Sequence, residues 1–321
     1  MKSFNVRQFL ADNSTLLALV ILIIIAVALR GTMFLSVNNI VNILLNNAIV
    51  GIIALGMTLV IISGGIDLSV GSKLALTGLV SISIMNATGN IVLGMLAAMA
   101  TGVALGAVTG TLVSKFSIPA FIVTLGMMRI FRSVAQHFYM GGGVLVGSEV
   151  SAFIQISNTR LWGVLPLPVI YWIVLCFVVD FIARRTAFGR HIYAVGSNER
   201  AANLSGINVK RVKTYVFMLS GFLVALASIV EASRLGSMNS SGSGGSYELE
   251  AIAAVVIGGT AMSGGKGRII GTMYGTLILG IINNMMNLLG LPPFLQGAIQ
   301  GSIVIIAVLL QRNVSKKEKA Y

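Results

Sequence analysis

Apolar runs about as long as a bilayer is thick, roughly 20 residues for a helix, recur along almost the whole chain and leave only short stretches between them. Inside lipid every backbone amide has to find a partner within the protein, and single runs of this length do so as α-helices. Composition closes the soluble alternative. Of the 321 residues, 56% are hydrophobic and 10% charged, against about 25% charged in soluble domains, and the mean hydropathy is +0.94. We therefore read an all-α polytopic membrane protein, a single transmembrane domain over residues 1–321 with no room for a folded soluble domain.

Spans are expected near 14–32, 45–63, 69–87, 91–114, 118–139, 165–183, 213–235, 248–262, 269–289 and 294–311. The first follows a basic start (Lys2, Arg7) and contains Ala26-Val27-Ala28, which resembles a cleavage site. The many spans beyond it, and Arg30 directly after the run, favour an uncleaved helix. About ten helices place both termini on one side. On that side fall 17 of the 22 Lys+Arg, among them Lys73, Lys115, seven residues of the loop 184–213, Lys266, Arg268 and the basic tail within 312–321. Positive charge marks the cytoplasm, so both termini are expected there. The net charge of +13 is thus a loop charge, and a nucleic-acid partner is excluded.

The spans are not uniform. Gly94, Gly102, Gly106 and Gly110, and then Gly271, Gly275 and Gly280, form small-residue stripes that let helices approach closely. Such stripes serve packing within a subunit or a seam between subunits, and the sequence leaves both open. Two polar, Gly-rich breaks interrupt the apolar runs: 63–71, with Gly64, Gly65 and Asp67, and 258–267, with Gly264 and Gly265. Non-helical backbone at membrane depth survives only against protein or a watery path, so broken or re-entrant segments are expected at both. A faint echo accompanies them. A break and a small-residue helix lead to Ile118-Pro119-Ala120-Phe121, and the same order leads to Leu291-Pro292-Pro293-Phe294. That is the mark of an inverted repeat, or a coincidence of short Gly-rich strings.

The phosphate-cradling pattern G-x-x-x-x-G-K-[ST] is missing, and 259–267 has its glycine and lysine out of register. The chain is not expected to hydrolyse ATP. Its only histidines, His137 and His191, and its single Cys176 make neither a metal cluster nor a catalytic constellation, so no metal and no cofactor are expected. Ionisable residues inside the membrane are Arg129 and Arg132 on one helix and Glu231 with Arg234, a pair three residues apart. We expect the latter two to pair and reach the interface, a substrate role being the alternative, and Asp67 and Asp180 to sit at cytoplasmic ends as solvated or helix-capping carboxylates. A chain of intramembrane acids for proton relay is missing.

In the loop 184–213, Asn198 can cap a short helix through Glu199, Arg200, Ala201, Ala202, Asn203 and Leu204, which Gly206 ends in a left-handed turn after Ser205. This is a docking element or a positively charged loop that serves topology alone.

At this loop the sequence resembles a family. Thr186-Ala187-Phe188-Gly189-Arg190, Tyr193-Ala194-Val195-Gly196-Ser197-Asn198 and Ser205-Gly206-Ile207-Asn208-Val209 are similar to the inner-membrane permease of bacterial ABC importers for monosaccharides of the ribose, xylose and galactose type. Gly64-Gly65-Ile66-Asp67-Leu68-Ser69-Val70-Gly71-Ser72 and Tyr247-Glu248-Leu249-Glu250-Ala251-Ile252 agree, with Glu250 where Asp is expected. The resemblance implies a multi-pass inner-membrane permease without enzymatic activity, paired with a second permease subunit, usually its own copy. It further implies a cytoplasmic ATP-binding-cassette ATPase that binds 196–208 as a coupling helix, a periplasmic sugar-binding protein and surrounding lipid. The pathway should be weakly polar, and Asn46, Asn47, Asn283, Asn284 and Asn287 are its candidate lining, or else bonds between helices. A stand-alone, ion-coupled sugar carrier is the alternative. Which monosaccharide is carried is not written in this chain.

Overall fold

The computed structural model describes residues 14–318; Lys2, Arg7 and Lys319 lie outside them. Five long helices come first: α1 (Ser14–Leu35), α2 (Val37–Ile62), α3 (Val70–Thr88), α4 (Ile91–Lys115) and α5 (Ala120–Phe138). A small non-helical region follows, with β1 (Gly143–Leu145), a 3-10 segment (Ser148–Ile154), α6 (Gln155–Asn158), and the hairpin β2 (Arg160–Leu161) and β3 (Leu165–Pro166). Then come α7 (Leu167–Arg185), α8 (Ala187–Ser197), α9 (Glu199–Leu204), α10 (Val209–Leu235), β4 (Ser237–Asn239), α11 (Tyr247–Ile257), α12 (Ile269–Leu288) and α13 (Pro293–Glu318). Among the described residues, seven helices (α1, α2, α3, α4, α7, α10 and α12) are long and apolar enough to cross a membrane.

The helices sort by burial. α2 and α10 are the inner pair, and every residue of α2 from Ala48 to Ile62 is buried. A helix apolar all round belongs in the interior of a membrane bundle, and this one packs against α7, α10, α11 and α12. α1, α4 and α7 stand outside and leave Ile21, Ile24, Leu96, Phe177 and Phe181 exposed. The glycine stripe of α4 answers the question left open by the sequence: Gly94 faces Met85 and Ser81 of α3, and Gly102, Gly106 and Gly110 face α10 of the same subunit, where a Cβ on Gly106 would lie 2.9 Å from Met218 Cα and one on Gly110 2.9 Å from Thr214 Cα.

Several boundaries move, each for a visible reason. α2 begins at Val37, eight residues before the expected start, because Ser36 caps it by accepting the Asn39 N–H at 3.3 Å. α10 begins at Val209 under an Asn208 cap that accepts the Arg211 N–H at 3.0 Å. α11 stops at Ile257, not 262, since Gly258 and Gly259 turn the chain. Before α11, residues 236–246 fold back, with β4 antiparallel to β1 (Val144 opposite Met238) and Met238 lying against Gly78 of α3.

Candidate functional site

The end of the bundle that carries loop 184–213 is built from two short helices. Thr186 caps α8 by accepting the Gly189 N–H at 3.1 Å, and Gly189, Ile192 and Val195 are its buried face. Asn198 both ends α8 and caps α9, its Oδ1 accepting the Ala201 N–H at 3.0 Å. α9 closes as its sequence says: Ser205 is the cap, Gly206 has φ +84°, and the Gly206 and Ile207 amides return to Asn203 and Ala202 carbonyls at 3.0 and 3.1 Å. Ala202 is buried beneath α9, whereas Leu204 at its tip is 89% exposed. Glu199 is ion-paired with Lys213 of α10.

α9 overlooks a groove of about 790 Å³ whose walls include Glu199, Arg200, Asn203 and Gly206 on one side and Gly64, Gly65 and Pro119 on the other. Two of the groups singled out in the sequence, the short helix and the first break, therefore share one surface. The second break meets the first from behind. α2 and α11 end in the same way: Gly64 and Gly65 amides return to Ile61 and Val60 carbonyls at 2.9 and 3.0 Å, and Gly259 and Thr260 amides to Val256 and Val255 carbonyls at 2.9 and 3.2 Å. Each is a left-handed glycine turn that satisfies orphan carbonyls of a helix end. The first turn touches the far part of the second break. Gly265 N–H donates to the Ile62 carbonyl at 2.9 Å, and a Cβ on Gly264 would lie 3.1 Å from Gly64 Cα and 2.8 Å from the Gly196 carbonyl oxygen. Gly196, one residue before the end of α8, has no room for a side chain against the Ile62 carbonyl. Tyr193 of α8 donates its hydroxyl to Gly267 O at 2.9 Å. Burial raises the Tyr193 phenol further above neutral pH.

The charged residues correct the sequence reading. Asp67 was expected to be a solvated or helix-capping carboxylate and Lys73 to be a loop charge; both side chains are fully buried and pair at 2.6 Å. Asp67 Oδ1 also accepts the Ser69 N–H at 3.0 Å and the Ser69 hydroxyl at 2.5 Å, so the carboxylate organises the first break and the start of α3. Even without Lys73 the loop charges keep their one-sided bias. Glu231 and Arg234 do not form an ion pair: Glu231 is buried, and Arg234 instead donates to Asn46 Oδ1 at 2.6 Å. Arg132 donates to the carbonyls of Ser240 and Ser243 at 2.9 and 2.8 Å, pinning the folded-back segment before α11, while Arg129 is exposed.

The five asparagines go to different places. Asn46 holds Arg234, Asn284 exchanges two amide bonds with Asn39 at 2.6 and 3.1 Å, and exposed Asn287 accepts from Gln296 at 2.9 Å. Asn47 and Asn283 instead share a cavity of about 320 Å³ between α2, α11, α12 and α13, which Glu250 also lines. Among the described residues no group of His, Cys, Asp and Glu has the arrangement of a metal site.

Comparison with known proteins bears on this geometry. The sequence profile of the family described as branched-chain amino acid transport system / permease component matches residues 39–308. The chain belongs to that family. As a permease component it is a transport subunit, multi-pass in the inner membrane, and not an enzyme. Its relatives include the ribose import permease protein RbsC of Escherichia coli K12, 43% identical over 97% of both chains, and RbsC of Bacillus subtilis 168, 42% identical over 93% of this chain and 92% of the relative. The D-allose transport system permease protein AlsC of Escherichia coli K12 is 36% identical over 98% and 96%. No solved structure gives a significant match.

In this permease component the breaks, α8 and α9 form one connected unit. Sequence reasoning found α9 and missed α8. The signal was present in the Thr186 cap followed by the small or apolar face Gly189, Ile192 and Val195, but two glycines within eleven residues obscured it.

Proposed function

We propose that this chain forms the translocation path of an ATP-driven monosaccharide importer, working as a pair of identical permeases with the basic end of each in the cytoplasm and ten crossings of the membrane. A cytoplasmic ATPase engages α9, with Leu204 as the exposed apolar knob and Arg200 and Lys210 beside it. A binding protein delivers sugar at the opposite end. Lipid covers the outward faces of α1, α4 and α7. The names of the relatives, which import ribose and transport allose, support the substrate class.

The observation that carries this reading is the seating of α8, which runs into α9 at Asn198, on both breaks through Gly196, Gly64 and Gly264. A force on α9 reaches the ends of α2 and α11 together, because backbone packed against backbone has no flexible side chain to absorb it. Rocking of these helices alternates access to the path. The test is sugar uptake into proteoliposomes holding this chain with and without the ATPase and the binding protein. Uptake that needs all three supports the importer. Uptake by this chain alone under an ion gradient replaces it with an ion-coupled carrier.

A further inference from the structure

We propose that the cavity between α2, α11, α12 and α13 is a way-station that recognises the hydroxyls of a neutral monosaccharide, with the Glu250 carboxylate as its central acceptor. The proposal rests on the importer reading and adds to it the place and chemistry of sugar contact. Asn47 lies 15 residues before the end of α2 at Ile62, which is about 22 Å along the helix, within the thickness of a hydrocarbon core of about 30 Å. The cavity is therefore a site inside the bundle, not part of the groove at α9.

Three observations point to a polar ligand. First, Glu250 lines the cavity and makes neither an ion pair nor a hydrogen bond among the described residues. A carboxyl at membrane depth without a partner is costly to the fold, and such residues mark substrate paths. Second, the neighbouring amides are only half used. Asn47 donates to the Ile43 carbonyl at 2.6 Å and keeps its Oδ1 free among the described residues; Asn283 accepts from Gln300 Nε2 at 2.9 Å, which leaves the Asn283 amide hydrogens and the Gln300 oxygen unengaged. Third, the walls are cut back where a sugar would need room. At Gly297 and Gly301 of α13, both in the cavity wall, a Cβ would meet nothing within 4 Å. The rim carries Ser246, held at φ +64° although it is not glycine, at the start of α11.

These groups select a ligand class. Each sugar hydroxyl both donates and accepts, and the cavity offers acceptors (Glu250, Asn47 Oδ1, Gln300 Oε1) together with donors (the Asn283 amide, the Ser246 hydroxyl). With no cation within ion-pair distance of Glu250 among the described residues, a sugar phosphate or uronic acid is repelled, whereas a neutral sugar can bridge the carboxylate with two adjacent hydroxyls. The rest of the wall is apolar (Val50, Leu279), so hold on the sugar is weak enough for release. At about 320 Å³ the cavity sits at the small end of ligand pockets, which run to about 1,000 Å³, in keeping with one monosaccharide unit.

Cys176, buried in α7, is the only cysteine, so a Cys176→Ala chain provides a clean background for a reporter at Gly301→Cys, where a Cβ meets nothing within 4 Å. The complex with its ATPase and binding protein, in proteoliposomes, is treated with the water-soluble thiol reagent MTSET during turnover, with D-ribose as the probe sugar. The reporter should be modified, ribose should slow modification several-fold, and Glu250→Leu should remove that protection and lower uptake about tenfold, as loss of a charged hydrogen-bond partner does. Glu250→Gln, which keeps the shape and one acceptor, should fall between. A reporter inert to MTSET in a complex that imports ribose overturns the way-station alone, as does protection that survives Glu250→Leu. A Cys176→Ala complex that imports none of D-ribose, D-allose and L-arabinose overturns the importer reading and the way-station with it.

Discussion

Lys73 Nζ lies 2.6 Å from Asp67 Oδ2, and neither side chain has any solvent-exposed surface. Lys73 also stands 5.9 Å from the centroid of the Phe217 ring on α10. The pair thus ties the first break to α3 and leans on the inner helix α10. Desolvation makes a buried pair a poor source of net stability, but removing one partner strands the other. Asp67→Ala should lower stability by about 3–5 kcal/mol, and the double change Asp67→Ala with Lys73→Met should recover most of that loss. Thermal unfolding in detergent decides it; a double variant as unstable as the single one would show that the charges themselves are needed.

At the basic end, α9 stands between Asn198 and Gly206. Asn198→Ala removes a cap worth about 1 kcal/mol. Gly206→Val forces a β-branched residue into φ +84°, at a cost of about 1–3 kcal/mol. Both lie in the loop between spans, so insertion should be unaffected, while the double variant should hydrolyse ATP with its ATPase and carry little sugar. Leu204→Ser should instead weaken ATPase binding, because it deletes the exposed knob and leaves the helix intact. Co-purification and the ratio of sugar moved to ATP hydrolysed separate the two effects. Normal coupling in the Asn198 and Gly206 double variant would remove α9 from the transmission path.

The stripe on α4 gives a sharper test of packing. Gly106→Leu has to push α4 away from Met218 and the Phe217 carbonyl. Overpacking of this kind costs about 1–3 kcal/mol or more. Because Gly106 faces α10 of the same chain, the melting temperature of the single permease should fall without a specific loss of pairing between permeases. Cross-linking yield that falls while the melting temperature holds would place the stripe at the seam between subunits.

What the sequence revealed depended on whether the signal was local. The caps of α9 were legible because Asn198 and Gly206 act within one turn. Both breaks were legible because glycine and aspartate inside apolar runs have few other uses. Their meeting was not, since Gly64 and Gly264 lie 200 positions apart and backbone contact between glycines leaves no side-chain pattern. Asp67 misled for a related reason: a carboxylate near a helix start reads as a solvated cap, and its buried partner Lys73 read as a loop charge. The asparagines looked alike in sequence. Only the packing of α12 and α13 separates Asn47 and Asn283 at the cavity from Asn284, which is engaged with Asn39.

Arg132 carries the last prediction. Past its one apolar anchor, Met238 against Gly78, the segment from Ser237 to Ser246 is mostly serine and glycine, with little further apolar surface to hold it in place. What orders it is polar: Asn239 Oδ1 accepts the Ser241 and Gly242 amides at 2.8 Å, Ser240 donates its hydroxyl to Gly142 O at 2.7 Å, and Arg132 spans two carbonyls. Lysine cannot reproduce that fork. Arg132→Lys should therefore speed amide hydrogen exchange across 240–246 by about tenfold or more, in line with charged hydrogen bonds of about 1.5–3 kcal/mol, and leave α3 and α10 protected. Because this segment leads directly into α11 and sets Ser246 and Glu250 at the cavity, uptake should fall with it. Faster exchange with unchanged uptake would mean that the fold-back segment is a brace for the outer end alone, and that α11 keeps its place by packing against α12.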